Sequence, residues 1–143
     1  MSIPLFNSIA SWLLKKRYHQ IELFLKYPGE VQEEVFLQLL SIAKDTEIGR
    51  KYDFGSIVSY ATFADRVPIS SYEEIEPDIE RTRRGEQNIF WPTSIKWFAK
   101  SSGTTNAKSK FIPVSLEALE DCHYKSSKDL LCLYLNNNEN SQL

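Results

Sequence analysis

The chain has 143 residues, and its 42% hydrophobic, 13% aromatic and 25% charged side chains are the usual composition of a packed globular protein. Seventeen basic and 19 acidic residues leave a formal charge of −2, so we expect no nucleic-acid partner and no general attraction to anionic membranes. No segment approaches the ~18 consecutive apolar residues of a membrane span, so we expect no integral membrane segment.

Residues 1–46 carry two stripes of apolar side chains with the period of an α-helix. Apolar residues recur every three or four positions before Pro28-Gly29 and again after it, as they do on amphipathic helices. Because proline and glycine interrupt helices, the sequence predicts an antiparallel helical hairpin over residues 1–46.

The first of these helices allows a second interpretation. Its apolar segment at residues 12–14 stands directly before a basic run at residues 15–17, so the helix could dock on a membrane surface or a partner helix. The basic run follows the apolar segment, whereas a secretory signal carries its positive charge first. We therefore expect a cytoplasmic protein.

Residues 47–94 break into short helices and loops. Gly49 and Gly55 are interpreted as turn residues, and residues 60–66 as one or two helical turns. The pattern predicts no long helix before residue 68 in this part of the chain.

A helix start is indicated near Ser70 and Ser71, because each precedes a glutamate by three residues, as in a capping box. Pro77 cannot lie deep inside a helix, so we expect a short turn and then a fresh helix with Pro77 near its first position. That helix is predicted to end at Gly85.

The run RTRR at residues 81–84 has two interpretations. Clustered arginines could form a phosphate or nucleic-acid patch, but cations followed by Gly85 are also what a helix C-terminus favours. The second interpretation explains the glycine as well, and we prefer it.

A strand, a loop and a second strand are predicted over residues 95–114, with the loop SSGTTNAKSK at 101–110. No Asp or Glu occurs over residues 87–116, so we expect a positive potential around this loop. A helix over residues 115–135 and a polar tail over residues 136–143 follow.

The loop has the composition of a phosphate site. Gly103 lets backbone amides approach an anion, and Lys110, or less favourably Lys108, adds a mobile positive charge. Five hydroxyl donors are available: Ser101, Ser102, Thr104, Thr105 and Ser109.

Two familiar phosphate loops are excluded. A Walker loop that begins at Gly103 needs glycine and lysine where Lys108 and Ser109 stand. A dinucleotide fingerprint needs glycine where Thr105 and Lys108 stand. A solvated hairpin loop without a ligand explains the same composition, and both interpretations stay open at this level.

The segment IKWFAKSSGTTNAKSKFIPVS at 95–115 resembles the phosphate-binding motif of the auxin-responsive (Gretchen Hagen) family of acyl-acid amido synthetases, within the acyl-adenylate-forming superfamily. The resemblance extends to KYDFGSI at 51–57, to residues 63–86 and to Trp91-Pro92, and so covers most of the chain. It implies an α/β fold, the N-terminal part of an acyl-adenylate-forming enzyme, with mixed short helices and a few strands flanking the phosphate loop.

By position, the motif of that family places six residues around the phosphates of ATP: Ser101, Ser102, Gly103, Thr104, Thr105 and Lys110. Many relatives have glycine where this chain has Asn106 and Ala107, so the loop departs from the family pattern there. Alanine tolerates a left-handed backbone less well than asparagine does, so the resemblance defines the loop geometry least well at residue 107.

The resemblance implies an ATP- and Mg²⁺-dependent ligase that activates a carboxylic acid as its acyl-adenylate and passes the acyl group to an amino acid or another amine. It also implies that the remainder of the same polypeptide holds adenine, ribose and the acid, so we expect an N-terminal fragment that is inactive alone. The alternative is a non-catalytic interaction or membrane-docking module that uses the first helix. His19 and His123 lie in separate predicted helices without companion ligands, so no metal site is predicted.

Overall fold

The structure is a computed structural model that describes residues 4–101 and 109–138. The chain is helix-rich and has one small antiparallel sheet, which confirms the predicted α/β class. No helix in the described residues is long and apolar enough to cross a membrane. The elements follow in this order: α1 (Pro4–Lys26), α2 (Pro28–Ala43), α3 (Glu47–Lys51), a 3₁₀ turn (Phe54–Ser56), α4 (Tyr60–Arg66), α5 (Tyr72–Arg83), β1 (Trp97–Lys100), β2 (Phe111–Val114), a π-helical segment (Ala118–Tyr124) and α6 (Lys125–Asn137).

The chain divides into two compact units, of which the first combines Met1–Gln32 with Glu120–Leu143. In this unit α1 packs along α6. Arg17 of α1 donates two parallel hydrogen bonds to Asp129 of α6, from Nε to Oδ1 at 2.5 Å and from Nη2 to Oδ2 at 2.7 Å. Paired bonds of this kind fix both the distance and the orientation of the two helices.

The Arg17–Asp129 pair should stabilise this unit in a pH-dependent way. The hydrogen bond from Arg17 outweighs burial and holds the pKa of Asp129 below its ordinary value of 3.8. Since the folded pKa is the lower one, the contribution is complete above the ordinary pKa and is lost as the pH falls through the folded value.

We expect Asp129→Asn to lower the free energy of unfolding by about 2 kcal/mol near neutral pH, because a partly buried guanidinium loses its counter-charge. Urea denaturation at several pH values measures the change, and the two curves should converge in acid. Asp121→Asn is the control, because Asp121 meets Lys125 only at 3.7 Å on the surface. Equal losses for both variants would contradict the assignment.

Helix α1 continues into α2 through Tyr27. The N–H of Tyr27 donates to the carbonyl of Leu23 at 2.9 Å, and its own carbonyl accepts from the N–H of Val31 at 3.1 Å. Helical hydrogen bonding therefore runs across Pro28, which only removes one donor from the ladder. The predicted antiparallel hairpin over residues 1–46 is wrong, because the chain does not reverse here and α1 packs on α6 instead.

The second unit, Glu33–Leu119, is built around an aliphatic core. An aromatic group lies beside α4, where the rings of Phe36 and Phe63 meet edge to face at 5.5 Å between centroids. Helix α4 begins where the sequence predicts it, because the hydroxyl of Ser59 accepts from the N–H of Thr62 at 3.2 Å. The buried aliphatic residues of the unit are Leu40, Ala43, Ile57, Ile79, Ile89 and Ile95.

A buried threonine forms the joint between α2 and α3. The hydroxyl of Thr46 donates to the carbonyl of Ala43 at 2.7 Å and accepts from the N–H of Gly49 at 2.9 Å. Gly49 lies inside α3, so its interpretation as a turn residue is wrong. Its missing side chain is explained by close approach, since the Ala43 carbonyl occupies the space that a Cβ would need.

The first amides of α3 find partners far along the chain. The N–H of Glu47 donates to the carbonyl of Asn88 at 2.9 Å, and the N–H of Ile48 donates to that of Ile89 at 3.1 Å. Asn88 adopts a left-handed backbone with φ of 61°, which asparagine tolerates better than most residues. The segment at residues 88–89 thus completes the N-terminus of a helix that is too short to be stable alone.

Helix α5 starts with a capping box. The carboxylate of Glu74 accepts from the N–H of Ser71 at 2.6 Å and from its hydroxyl at 2.9 Å. Pro77 lies inside this helix, so the predicted fresh start near Pro77 is wrong. The reason is local, because the carbonyl that loses its donor belongs to Glu73, an exposed residue in the first turn.

The C-terminus of α5 confirms the predicted end at Gly85, whose φ is 100°. Its N–H donates to the carbonyl of Thr82 at 3.0 Å, and the N–H of Glu86 donates to that of Arg81 at 3.1 Å. These two bonds form a Schellman motif, which needs a left-handed residue after the helix.

The last helical stretch begins after Ser115, whose hydroxyl accepts from the N–H of Ala118 at 3.1 Å, as predicted for a cap. It contains the π-helical segment Ala118–Tyr124, which the sequence analysis does not predict, and α6 runs on to Asn137.

Candidate functional site

The predicted phosphate loop joins the two strands of the hairpin. β1 and β2 pair antiparallel with Lys100 opposite Phe111, which confirms the predicted strand–loop–strand. Beyond this pair, the N–H of Ser101 donates to the carbonyl of Lys110 at 2.9 Å, and the N–H of Lys110 donates to the hydroxyl of Ser101 at 3.0 Å. Ser101 and Lys110 therefore join the two ends of the loop, which form its mouth.

Two of the six residues assigned to the phosphate site are described by the structure, namely Ser101 and Lys110. Their assignment to ATP stays a prediction, although the structure places them opposite each other at the mouth of the loop. The other four lie outside the described residues, as does the weaker candidate Lys108: Ser102, Gly103, Thr104 and Thr105.

The first turn of α5 holds the ammonium group of Lys110. Its Nζ donates to Oε1 of Glu73 at 2.9 Å and lies 4.7 Å from the centroid of the Tyr72 ring. The hydroxyl of Tyr72 in turn accepts from the N–H of Phe111 at 2.9 Å, so the ring is fixed against β2. Together these contacts anchor Lys110 from the side opposite Ser101.

Glu73 corrects the expectation that the loop region is free of carboxylates. The run without Asp or Glu over residues 87–116 is real along the chain, but folding brings Glu73 onto Lys110. The hydrogen bond from Lys110 holds the pKa of Glu73 below its ordinary range, so this carboxylate is charged at neutral pH. The sequence pattern explains Glu73 by helix capping and gives no signal for its contact 37 residues away.

Two arginines of the RTRR run, Arg81 and Arg83, lie at the C-terminus of α5, as the preferred interpretation predicts, and are held by carboxylates. The guanidinium of Arg81 donates to three carboxylates, including a bidentate pair with Glu47 at 2.9 and 2.7 Å, and these raise its pKa. Arg83 donates to Glu80 at 2.5 Å and lies 3.8 Å from the centroid of the Phe111 ring. These contacts pin α5 within its unit and leave little charge for an external anion.

A second polar cluster surrounds Glu117 and was not singled out by the sequence analysis. Oε2 of Glu117 accepts from Nε1 of Trp91 at 3.1 Å and from the hydroxyl of Thr93 at 2.9 Å. Burial acts to raise the pKa of Glu117, but hydrogen bonds from its own N–H, Thr93, Ser115 and Trp91 outweigh burial and lower it. The cluster connects the Trp91-Pro92 segment to the end of the hairpin. In the sequence, only the family resemblance at Trp91-Pro92 indicates this cluster.

Within residues 4–101 and 109–138, no three His, Cys, Asp or Glu side chains come close enough to hold a metal ion. His19 contacts Glu22, with 3.2 Å between Nδ1 and Oε2 on the surface of α1. The carboxylates described above accept hydrogen bonds from arginine, lysine, tryptophan and hydroxyl groups. The described residues therefore offer no preformed cage for magnesium.

The fold matches part of solved acyl acid amido synthetases. The solved structure of the AtGH3.15 acyl acid amido synthetase in complex with 2,4-DB matches with a TM-score of 0.75 and 27% identity, over 86% of this chain and 21% of that chain. A second structure of the GH3.15 acyl acid amido synthetase matches with a TM-score of 0.66 and 29% identity, over 76% of this chain and 19% of that one.

The curated relatives point to the same class. Indole-3-acetic acid-amido synthetase GH3.2 of Arabidopsis thaliana is 33% identical over 101 residues, which are 70% of this chain and 18% of that protein. Jasmonoyl--L-amino acid synthetase JAR6 of Nicotiana attenuata is 31% identical over 107 residues, 74% of this chain and 18% of that protein. This chain spans about a fifth of the length of the curated relatives it matches.

The family model described as the GH3 family N-terminal domain matches residues 17–142. The chain therefore belongs to the GH3 family, and the resemblance stated from the sequence is confirmed.

Proposed function

We propose that this chain supplies the phosphate-binding side of an ATP-dependent acyl acid amido synthetase. The observation that carries the proposal is the closure of SSGTTNAKSK by two hydrogen bonds between Ser101 and Lys110, which bring the two ends of this hydroxyl-rich loop together. Gly103, Ser102, Thr104 and Thr105 follow in sequence and are the remaining proposed ligands of the ATP phosphates. Family membership supports the assignment, because the curated relatives are named as an indole-3-acetic acid-amido synthetase and a jasmonoyl--L-amino acid synthetase.

The proposed chemistry has two steps. An oxygen of a small carboxylic acid attacks the α-phosphorus of ATP, so that an acyl-adenylate forms and pyrophosphate leaves. The nitrogen of an amino acid or another amine then attacks the acyl carbon, and AMP leaves with the bond electrons. In this scheme Lys110 and the loop hydroxyls balance the charge that builds up on the departing pyrophosphate.

Magnesium is proposed as the cofactor because it binds phosphate oxygens and keeps several of its waters, so it needs few protein ligands. It would supply charge neutralisation at the phosphates of ATP. The described residues contribute hydroxyl and ammonium groups to that site and no carboxylate cage. The proposed location of the enzyme is the cytoplasm, which the position of the basic run at residues 15–17 favours.

Isotope exchange tests this function. The intact gene product is incubated with ATP, Mg²⁺, labelled pyrophosphate and a panel of small carboxylic acids. We expect label to enter ATP only when a suitable acid is present, because exchange requires reversible formation of the acyl-adenylate. Exchange that does not depend on any acid, or formation of ADP and inorganic phosphate instead of AMP, would contradict the proposal.

A further inference from the structure

Glu73 accepts a hydrogen bond from the ammonium group of Lys110, which the proposed function assigns to a phosphate. The Nζ of Lys110 has a carboxylate oxygen at 2.9 Å and an aromatic face at 4.7 Å in the described structure. A polyphosphate at the loop would compete with that carboxylate for the same hydrogen-bond donor. The contact between Glu73 and Lys110 must therefore break before a phosphate can bind the Lys110 ammonium group.

The Glu73–Lys110 pair is suited to exchange because it is solvated. The side chain of Glu73 is 68% exposed and that of Lys110 is 42% exposed. Ion pairs with this exposure contribute little to stability, so the bond breaks easily. A pyrophosphate group carries more charge than one carboxylate and offers more acceptor oxygens to a lysine that can rotate.

Lys110 stays at the mouth of the loop when it leaves Glu73. Its backbone is fixed by two hydrogen bonds to Ser101, and the Tyr72 ring beneath its ammonium group is fixed by the hydrogen bond to Phe111. Only the outer part of the Lys110 side chain has to turn. The remaining cost of exchange is repulsion, because the freed Glu73 carboxylate stays close to the entering anion.

We infer that Glu73 is the resident counter-ion of Lys110 and that a pyrophosphate group displaces it on binding. The inference rests on the proposed function, because it takes the loop as the phosphate site. Glu73 is a positioning residue in this scheme: it touches Lys110 and not the substrate. It holds the lysine at the loop before the nucleotide arrives and weakens phosphate binding by its charge.

Calorimetric titration of the intact gene product with inorganic pyrophosphate tests this inference. We expect Glu73→Gln to tighten pyrophosphate binding about three- to tenfold at low salt, because one negative charge beside the anion is removed. The gain should shrink as salt is added. Glu76→Gln is the matched control, since it makes the same charge change on the same helix without the contact to Lys110, and its effect should stay below about twofold.

The Lys110→Ala background isolates the contact. The gain from Glu73→Gln should shrink in that background, because the direct repulsion between Glu73 and the anion remains but there is no ammonium group left to release. Carboxyl NMR adds a signature that a purely structural role would not produce: pyrophosphate should raise the pKa of Glu73 in the wild-type chain as Lys110 leaves it.

The outcomes distinguish failure of this inference from failure of the proposed function on which it rests. If pyrophosphate binds and needs Lys110, but Glu73→Gln leaves the affinity unchanged or weakens it, the counter-ion inference is wrong and the phosphate loop stands. If pyrophosphate does not bind the wild-type chain, or binds equally well after Lys110→Ala, the assignment of the loop as the phosphate site is wrong. The counter-ion inference is then wrong as well.

Discussion

Replacing Gly49 by alanine is expected to lower the free energy of unfolding by about 3 kcal/mol or more. An alanine Cβ would collide with the carbonyl oxygen of Ala43 and lie 2.7 Å from that of Lys44. Both are main-chain atoms and cannot rotate away, so the backbone must shift. That shift would pull apart the two hydrogen bonds of the buried Thr46 hydroxyl. Since domains are stable by only about 5–15 kcal/mol, a large share would be lost.

Urea denaturation followed by circular dichroism measures this effect. Gly29→Ala is the control, because a Cβ there meets nothing within 4 Å, and alanine is favoured over glycine in a helix by about 1 kcal/mol. The control should therefore be as stable as the wild-type chain or slightly more stable. A Gly49→Ala variant with wild-type stability would show that α2 and α3 do not approach as closely as described.

Changing Ser102 and Lys110 together to alanine is expected to weaken ATP binding by the intact gene product at least about a hundredfold. The change removes one hydroxyl donor and one ammonium group from the proposed phosphate site, and charge-assisted hydrogen bonds contribute about 1.5–3 kcal/mol each. Label exchange between pyrophosphate and ATP should fall at least as far. Fluorescence titration with an ATP analogue and the exchange assay measure the two effects.

The control for this variant is the double change Ser127→Ala and Lys128→Ala on α6. It removes the same two functional groups and the same charge from exposed positions outside the loop. ATP binding should be unchanged there, which separates a local site from a general effect of net charge. Equal ATP affinity of the wild type and the Ser102, Lys110 variant would show that SSGTTNAKSK is not the phosphate loop.

The sequence predicts correctly those parts of the fold that depend on neighbouring residues. The capping box at Ser71, the left-handed end at Gly85 and the cap at Ser115 each depend on a few neighbouring residues, and all three are confirmed. The strands around the loop are confirmed as well, since two short apolar segments on either side of a polar loop suffice to indicate a hairpin.

The errors of prediction have a common physical origin in contacts between distant residues. Pro28 and Pro77 do not interrupt helical hydrogen bonding, because a helix tolerates one missing donor where the carbonyl is exposed or the packing of the rest holds it. Gly49 was interpreted as a turn because nothing in the neighbouring sequence shows that the Ala43 carbonyl lies against it. The contact of Glu73 with Lys110 could not be predicted either, since both residues have a sufficient local explanation.

The pairing of α3 with the segment after α5 has a consequence for hydrogen exchange. The amides of Glu47 and Ile48 belong to a five-residue helix. The amide hydrogens at the ends of such a helix normally exchange with solvent when that helix alone opens briefly. Because their acceptors are the carbonyls of Asn88 and Ile89, these amides become exposed only when two distant stretches of chain separate. Slow deuterium uptake at these two positions would therefore report the separation of α3 from residues 88–89 rather than the fraying of the helix alone.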